Sequence, residues 1–286
     1  MNEYLLAALL GVVEGLTEFL PVSSTAHLRI AEALFGLDLA DPYWKTFSVV
    51  IQLGAVLCLP LYFRRRLAAF VATFPRGARG DRTALTHPLT LTLLAFVTTA
   101  IPSFLLHRVI GEHLEDLRMM GVSLVAGGVV MWAVDFAHAR AGGARRTADV
   151  DGMSVGQALW IGACQVLSAT FPGTSRSMVT ITAGMAAGMS RPAALEFSFF
   201  LSLPTMAAAT LFDLFRSVRH GGDATGLGAI PPTAHAWVVL AIGFVVSFLV
   251  AYAVVAWFMA WVRRRGFAPF AVYRVVLGGV VLWWMG

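Results

Sequence analysis

The sequence predicts an all-α polytopic membrane protein, with six transmembrane helices plus two re-entrant helix-loop-helix segments in an inverted-topology repeat. Three observations predict it. Of 286 residues 58% are hydrophobic and 13% charged, and the mean hydropathy is +0.75, outside the range of soluble domains. Six long apolar runs stand near the ~20 residues that a spanning helix needs. Two polar, proline-broken segments far apart in the chain match each other when the sequence is slid along itself.

The chain opens with "MNEYLLAALLGVV". It carries a glutamate where a secretory signal has basic residues, and no small-residue cleavage site follows, so it is not expected to be a cleavable signal. Next comes "VVEGLTEFLPVSSTAHL", Val12 to Leu28, a cluster of polar groups at the end of an apolar run. Charge in hydrocarbon costs at least ~2.5 kcal/mol per residue on the most lenient scale, so these residues need a reason to be there. Three uncharged runs follow, Thr46–Phe63, Pro88–Leu106 and Met119–Val134. The second polar stretch, Ser154–Ser190, precedes three more runs, Phe197–Phe212, Ala236–Val262 and Gly266–Gly286. Among the six runs only the last holds a charge, Arg274.

The net charge of +5 could suggest nucleic acid as a partner. In a membrane protein it reads instead as arginine-rich cytoplasmic loops. Arg64, Arg65, Arg66, Arg76, Arg79 and Arg82 fill one loop; Arg140, Arg145 and Arg146 another; Arg263, Arg264 and Arg265 a third. All three lie on one face only if Ser154–Ser190 enters and leaves on the same side. The two cysteines, Cys58 and Cys164, stand in apolar surroundings and suggest neither a disulfide framework nor a thiolate metal site.

A shift of 151 residues lays "EGLTEFLPVSST" (Glu14–Thr25) over "QVLSATFPGTSR" (Gln165–Arg176), so that Pro21 meets Pro172 and Ser24 meets Ser175. A shift of 150 lays "FSVVIQL" (Phe47–Leu53) over "FSFFLSL" (Phe197–Leu203). Each copy is one polar segment followed by three spans: repeat 1 about 4–139 and repeat 2 about 154–286, within a single membrane domain. Three is odd, so the second copy is inverted, and its broken helices are expected to meet those of the first near the bilayer midplane.

In the first segment Glu14 and Glu18, at i,i+4, share a helix face, and Pro21 is expected to end that helix. Ser23, Ser24 and Thr25 suit the start of the next helix, with His27 on its first turn. This set can bind a divalent cation through oxygen, supply a nucleophile and move protons. In the second segment Ser175, Arg176 and Ser177 stand at a helix start, where free N–H groups and a guanidinium fork suit phosphate. Acids and a nucleophile beside a phosphate clamp point to metal-assisted phosphoryl transfer at the membrane. The plainer alternatives are an interfacial His27 and an Arg176 that merely neutralises Glu14 or Glu18. Asp135, Asp213 and Glu196 read as interfacial residues at span ends, and Gln52 as a residue that could line the cavity. Arg274 reads as a snorkelling side chain, and "GMAAG" (Gly184–Gly188) as a helix contact. A lipid-phosphate transporter is the competing class, but it does not need the Glu14–Glu18–Ser24–His27 set.

"EGLTEFLPVSSTAHL" and "PGTSRSMVT" resemble the two long motifs of the bacterial undecaprenyl-pyrophosphate phosphatases of the bacitracin-resistance type. The similarity runs on through "FSVVIQLGAVL" and "FSFFLSLP"; Ala26 and Met178 stand where that family usually has glycine. The resemblance implies hydrolysis of undecaprenyl pyrophosphate to the monophosphate, which recycles the carrier for cell-wall polymers. It also implies a multi-pass inner-membrane location, a site open to the periplasm and assistance by Mg²⁺ or Ca²⁺. Membrane lipids are expected partners, nucleic acid is not, and a homodimer stays open. Glu14, Glu18, Ser24 and His27 match the catalytic set, with Glu14 and Glu18 as the metal's carboxylates. Ser23, Thr25, Ser175, Arg176 and Ser177 are the expected phosphate contacts. Ser24, His27 and water stay open as the nucleophile.

Overall fold

The computed structural model describes residues 2–38, 41–106, 116–140, 147–220 and 233–285, and of residues 213, 214 and 216–220 only the backbone. Arg108, Arg145 and Arg146 therefore lie outside the described residues, as does the side chain of Asp213. The described residues form eleven α-helices. In chain order they are α1 (Glu3–Thr17), α2 (Ser24–Leu34), α3 (Pro42–Tyr62), α4 (Arg64–Thr73), α5 (Pro88–Leu105) and α6 (Leu117–Arg140), then α7 (Val155–Thr170), α8 (Arg176–Ala186), α9 (Arg191–His220), α10 (Ala234–Val262) and α11 (Ala268–Met285).

Six of these helices, α3, α5, α6, α9 over Arg191–Phe212, α10 and α11, are long and apolar enough to cross a membrane. They overlie the six apolar runs of the sequence. The helices around the polar segments are shorter: α1 and α7 have 15 and 16 residues, α2 and α8 have 11 each. At 1.5 Å per residue a 16-residue helix reaches only about 24 Å, less than the hydrocarbon thickness. Both halves of the chain thus run short helix, break, short helix, then long helices, with α4 as an addition in the first.

The chain divides into two compact units that interleave along it. The first comprises residues 1–19, 24–62 and 202–256. Its core joins α1, α2, α3 and α10 through Leu6, Leu10, Leu28, Phe47, Ile51 and Val239. Small residues let main chains approach there. A Cβ on Gly11 would stand 2.7 Å from the Gly243 carbonyl, one on Gly15 2.7 Å from the Ser247 carbonyl, and one on Gly54 2.6 Å from the Phe244 carbonyl. Such approach is how apolar helices pack where lipid removes the hydrophobic drive between them. The Ser247 hydroxyl, fully buried, donates to the Ile51 carbonyl at 2.8 Å. Gly11 and Gly15 lie on the α1 face that also carries Glu14, which explains why that carboxylate is buried.

The second unit comprises residues 20–23, 63–201 and 257–286. Here α6 and α11 pack closely: a Cβ on Gly128 would stand 2.8 Å from the Ala271 carbonyl, and one on Gly278 2.7 Å from that of Gly121. Helices α5 and α7 meet where Gly162 faces Ala95, and Thr99 Oγ1 donates to the Gly162 carbonyl at 2.8 Å.

Asp135 and Glu196, near the ends of their helices, each take part in a charged tie. Asp135 is buried at 5% exposure and accepts from Arg191 Nε at 2.7 Å and from the Phe267 N–H at 3.0 Å. It joins the end of α6 to the starts of α9 and α11, a role for which the full desolvation of a carboxylate needs a partner of opposite charge. Glu196 accepts from Arg66 Nε at 3.0 Å, and Arg66 also pairs with Asp151. Burial works against the Arg66 charge, but the Asp151 and Glu196 carboxylates outweigh it and raise its pKa. In "GMAAG", Gly184 does face a neighbouring helix, with Ala194 Cβ 3.0 Å from a built Cβ. Gly188 does not: it has φ +85° and open space around it, and it turns the chain out of α8.

Candidate active site

In the first unit α1 closes earlier than Pro21. Its last residue is Thr17, and Glu18 keeps helical angles (φ −61°, ψ −43°) with its N–H bonded to the Glu14 carbonyl. Glu14 and Glu18 therefore stand on successive turns of one buried face, with 0% and 6% exposure. The Ser24 hydroxyl opens α2 and donates to Glu18 Oε2 at 2.6 Å. Ser24 is itself only 7% exposed. A hydroxyl bonded to a shielded carboxylate at that distance has its proton's acceptor already in place. His27 is half-buried on the first turn of α2, while Thr25 is exposed. Further along α2, Glu32 is buried between Arg29 Nη1 and the Ser48 hydroxyl, each at 2.9 Å. Sequence reasoning passed over this ion pair.

In the second unit Ser175 caps α8, its Oγ accepting from the Met178 N–H at 3.3 Å. Arg176 is the first residue of that helix, half-buried, and its Nη1 donates to the Ser198 carbonyl of α9 at 3.3 Å. The Ser198 and Thr180 hydroxyls lie 2.6 Å apart behind it. Ser177, 1% exposed, gives its hydroxyl hydrogen to the Leu20 carbonyl at 2.9 Å and lies 3.1 Å from Ser175 Oγ. Leu20 and Pro21 belong to the first polar segment, between Glu18 and Ser24 in the chain. A fork of guanidinium donors at the N-terminus of a helix is suited to an anion.

The two segments share a backbone feature that residue types alone do not reveal. Ser23 has φ +75° and Ser175 φ +72°, and they are the two non-glycine residues of positive φ among the described residues. Each immediately precedes a helix start, at Ser24 and at Arg176. Left-handed serines are strained, and such strain gathers where the surroundings over-determine the chain for function. Each follows the proline of its own segment, Ser23 two residues after Pro21 and Ser175 three residues after Pro172.

Arg274 does not snorkel. It is fully buried, and it donates to the carbonyls of Pro21, Ser123, Gly173 and Thr174 at 3.2, 3.2, 3.2 and 3.0 Å. The space for it comes from Gly127, where a Cβ would fall 2.5 Å from Arg274 Nη2 and 2.7 Å from Met178 Cε. Met178, large where the resembled family usually has glycine, is accommodated by that same glycine. Gln52 is half-buried in α3 of the first unit.

Among the described residues no group of three or more His, Cys, Asp or Glu side chains could hold a metal alone. The Glu14–Glu18 pair nevertheless suits Mg²⁺ as it is held in phosphoryl-transfer sites, by one or two carboxylates with substrate phosphate and water completing the shell.

Comparison with known proteins decides the family. The description "Bacitracin resistance protein BacA" matches residues 7–280. The chain belongs to the BacA family. It is 66% identical over 285 residues to the undecaprenyl-diphosphatase of Koribacter versatilis (strain Ellin345), covering 99% of each chain. It is 44% identical to the undecaprenyl-diphosphatase of Sorangium cellulosum (strain So ce56), across 97% of this chain and 85% of that one. The undecaprenyl-diphosphatase of Thermus thermophilus is 42% identical, across 96% and 94%. BacA membership and six membrane-competent helices together make this a multi-pass membrane protein.

Proposed function

We propose that this BacA-family protein hydrolyses undecaprenyl pyrophosphate to undecaprenyl phosphate and inorganic phosphate, recycling the lipid carrier for cell-wall polymers and so conferring bacitracin resistance. The observation that carries the chemistry is the buried 2.6 Å hydrogen bond from Ser24 to Glu18. The substrate class comes from relatives named undecaprenyl-diphosphatase at up to 66% identity.

In the proposed reaction the isoprenoid tail stays in lipid. Arg176, Ser175 and the N–H groups at the start of α8 hold phosphate and stabilise charge as it develops; Ser23 and Thr25 add contacts at the start of α2. Ser177 orients the segment through Leu20 and offers its oxygen. Ser24 Oγ attacks the terminal phosphorus while Glu18 takes its proton. The bond to the bridging oxygen breaks, its electron pair leaves with undecaprenyl phosphate, and His27 delivers a proton to the leaving side. Water then hydrolyses the phosphoserine and releases phosphate. Glu14 and Glu18 would hold a divalent cation, Mg²⁺ or Ca²⁺, which neutralises phosphate charge when bound.

The architecture proposed with this is an inverted repeat with two re-entrant segments, the arginine-rich loops in the cytoplasm and the site open to the periplasm of the inner membrane. The repeated helix order and the paired serines of positive φ support the repeat. The placement of arginines supports the orientation.

The test is to quench single turnovers on a radiolabelled long-chain polyprenyl diphosphate and look for phosphoenzyme. Label that survives acid but not alkali, and that vanishes in Ser24→Ala, is the expected result. Acid-labile label retained in Ser24→Ala would transfer the nucleophile to His27. Full turnover by Ser24→Ala without any covalent label would remove the serine from the reaction.

A further inference from the structure

We infer that Arg274 is a positioning residue: from α11 its guanidinium fixes the backbone of both polar segments, and thereby the groups that flank them. This rests on the phosphatase reading, but it concerns a residue outside both sequence motifs.

The geometry carries it. The four hydrogen bonds from Arg274 run to main-chain carbonyls, one in the first segment (Pro21), two in the second (Gly173, Thr174) and one on α6 (Ser123). Pro21 stands two residues before the left-handed Ser23, and Thr174 immediately before the left-handed Ser175. Arg274 therefore grips the chain directly upstream of both strained serines and of the helix starts that follow them. A guanidinium has five donors in a rigid plane and can serve several carbonyls at once, where an ammonium on a flexible stem cannot hold that fork.

Cost argues the same way. A fully buried cation with carbonyls as its hydrogen-bond partners is an expensive means of packing two apolar helices, which Gly121, Gly128 and Gly278 already bring together. A buried ionisable group in a membrane protein calls for a task, and setting two loops to sub-ångström accuracy is one. Gly127 keeps the room that the guanidinium occupies.

The test compares the detergent-purified full chain with Arg274→Met and Arg274→Lys. Phosphate release from a long-chain polyprenyl diphosphate gives kcat and KM, and hydrogen exchange reads the backbone. Both variants are expected to fold and to lose about 100-fold in kcat, with KM little changed. Exchange is expected to quicken at residues 22–25 and 173–178 and to stay as in wild type in α3, α5 and α10. Wild-type kcat in Arg274→Met would overturn the inference. So would a loss of kcat with unchanged exchange in both segments, or failure of both variants to fold, which would assign Arg274 to the fold alone. A wild type that releases no phosphate would sink the phosphatase reading instead, and the exchange data would still report on the tether.

Discussion

Replacing Gly173 by alanine should disrupt the second polar segment, and the structure sets the size of the effect. Gly173 has φ +86°, and a Cβ there would stand 2.7 Å from both Cα and the carbonyl oxygen of Met120. Left-handed backbone costs an L-residue about 1–2 kcal/mol. The clash is with helix main chain, which cannot swing aside as a side chain would, and overpacking of that kind adds about 1–3 kcal/mol. Gly188→Ala is the internal control, since φ is +85° but nothing lies within 4 Å of the built Cβ. Its cost should be the conformational part alone, about 1–2 kcal/mol. At roughly 2–4 °C per kcal/mol, thermal unfolding in one detergent should place Gly188→Ala about 2–8 °C below wild type and Gly173→Ala about 4–20 °C below. Gly173→Ala should also lose phosphatase activity, because the Gly173 carbonyl is one that Arg274 holds. Equal unfolding temperatures for the two variants would refute the clash, and full activity in Gly173→Ala would refute the need for this loop geometry.

Two further outcomes follow from the second unit. Asp135→Asn removes the charge that pairs with Arg191 at 2.7 Å while keeping an acceptor for the Phe267 N–H; a loss of about 3 kcal/mol is expected, read as a lower unfolding temperature, and no change would make the tie ornamental. His87 caps α5, its buried ring accepting from the Leu89 N–H at 3.2 Å, and burial lowers its pKa, with Arg82 adding to the effect and Asp151 opposing it. The unfolded chain then takes up the proton first, so stability is held above the ordinary histidine value of about 6.5 and declines as pH falls below it, levelling off past the folded value. Unfolding temperatures measured at pH 7.5 and 5.5 should fall with pH in wild type and less so in His87→Asn.

The parts of this fold legible in the sequence were those written in residue type. Uninterrupted apolar runs marked all six long helices, because a lipid-facing helix tolerates little else. The polar motifs marked Glu18 and Ser24, whose side chains do meet, and Arg176 at a helix start. Features carried by the main chain were not legible. Nothing in a serine's identity announces φ +75° or +72°, so the positive φ shared by Ser23 and Ser175 before α2 and α8 emerged only from the backbone. Arg274 looked like a lone charge seeking the interface because its partners are carbonyls, which leave no trace in a sequence. Asp135 and Arg191 are 56 positions apart, too far for any local pattern to join them. Helix α1 stopped at Thr17 because the turn at 18–20 begins before the proline is reached.

The central claim, that the two polar segments carry one phosphatase reaction, is tested most directly by phosphate release from a long-chain polyprenyl diphosphate. Wild type, Glu18→Gln and Arg176→Ala would be compared in one detergent, with and without chelator. The account predicts release by wild type, weakened by chelator and reduced about 10²–10⁴-fold in both variants. Release by either variant at the wild-type rate would contradict it.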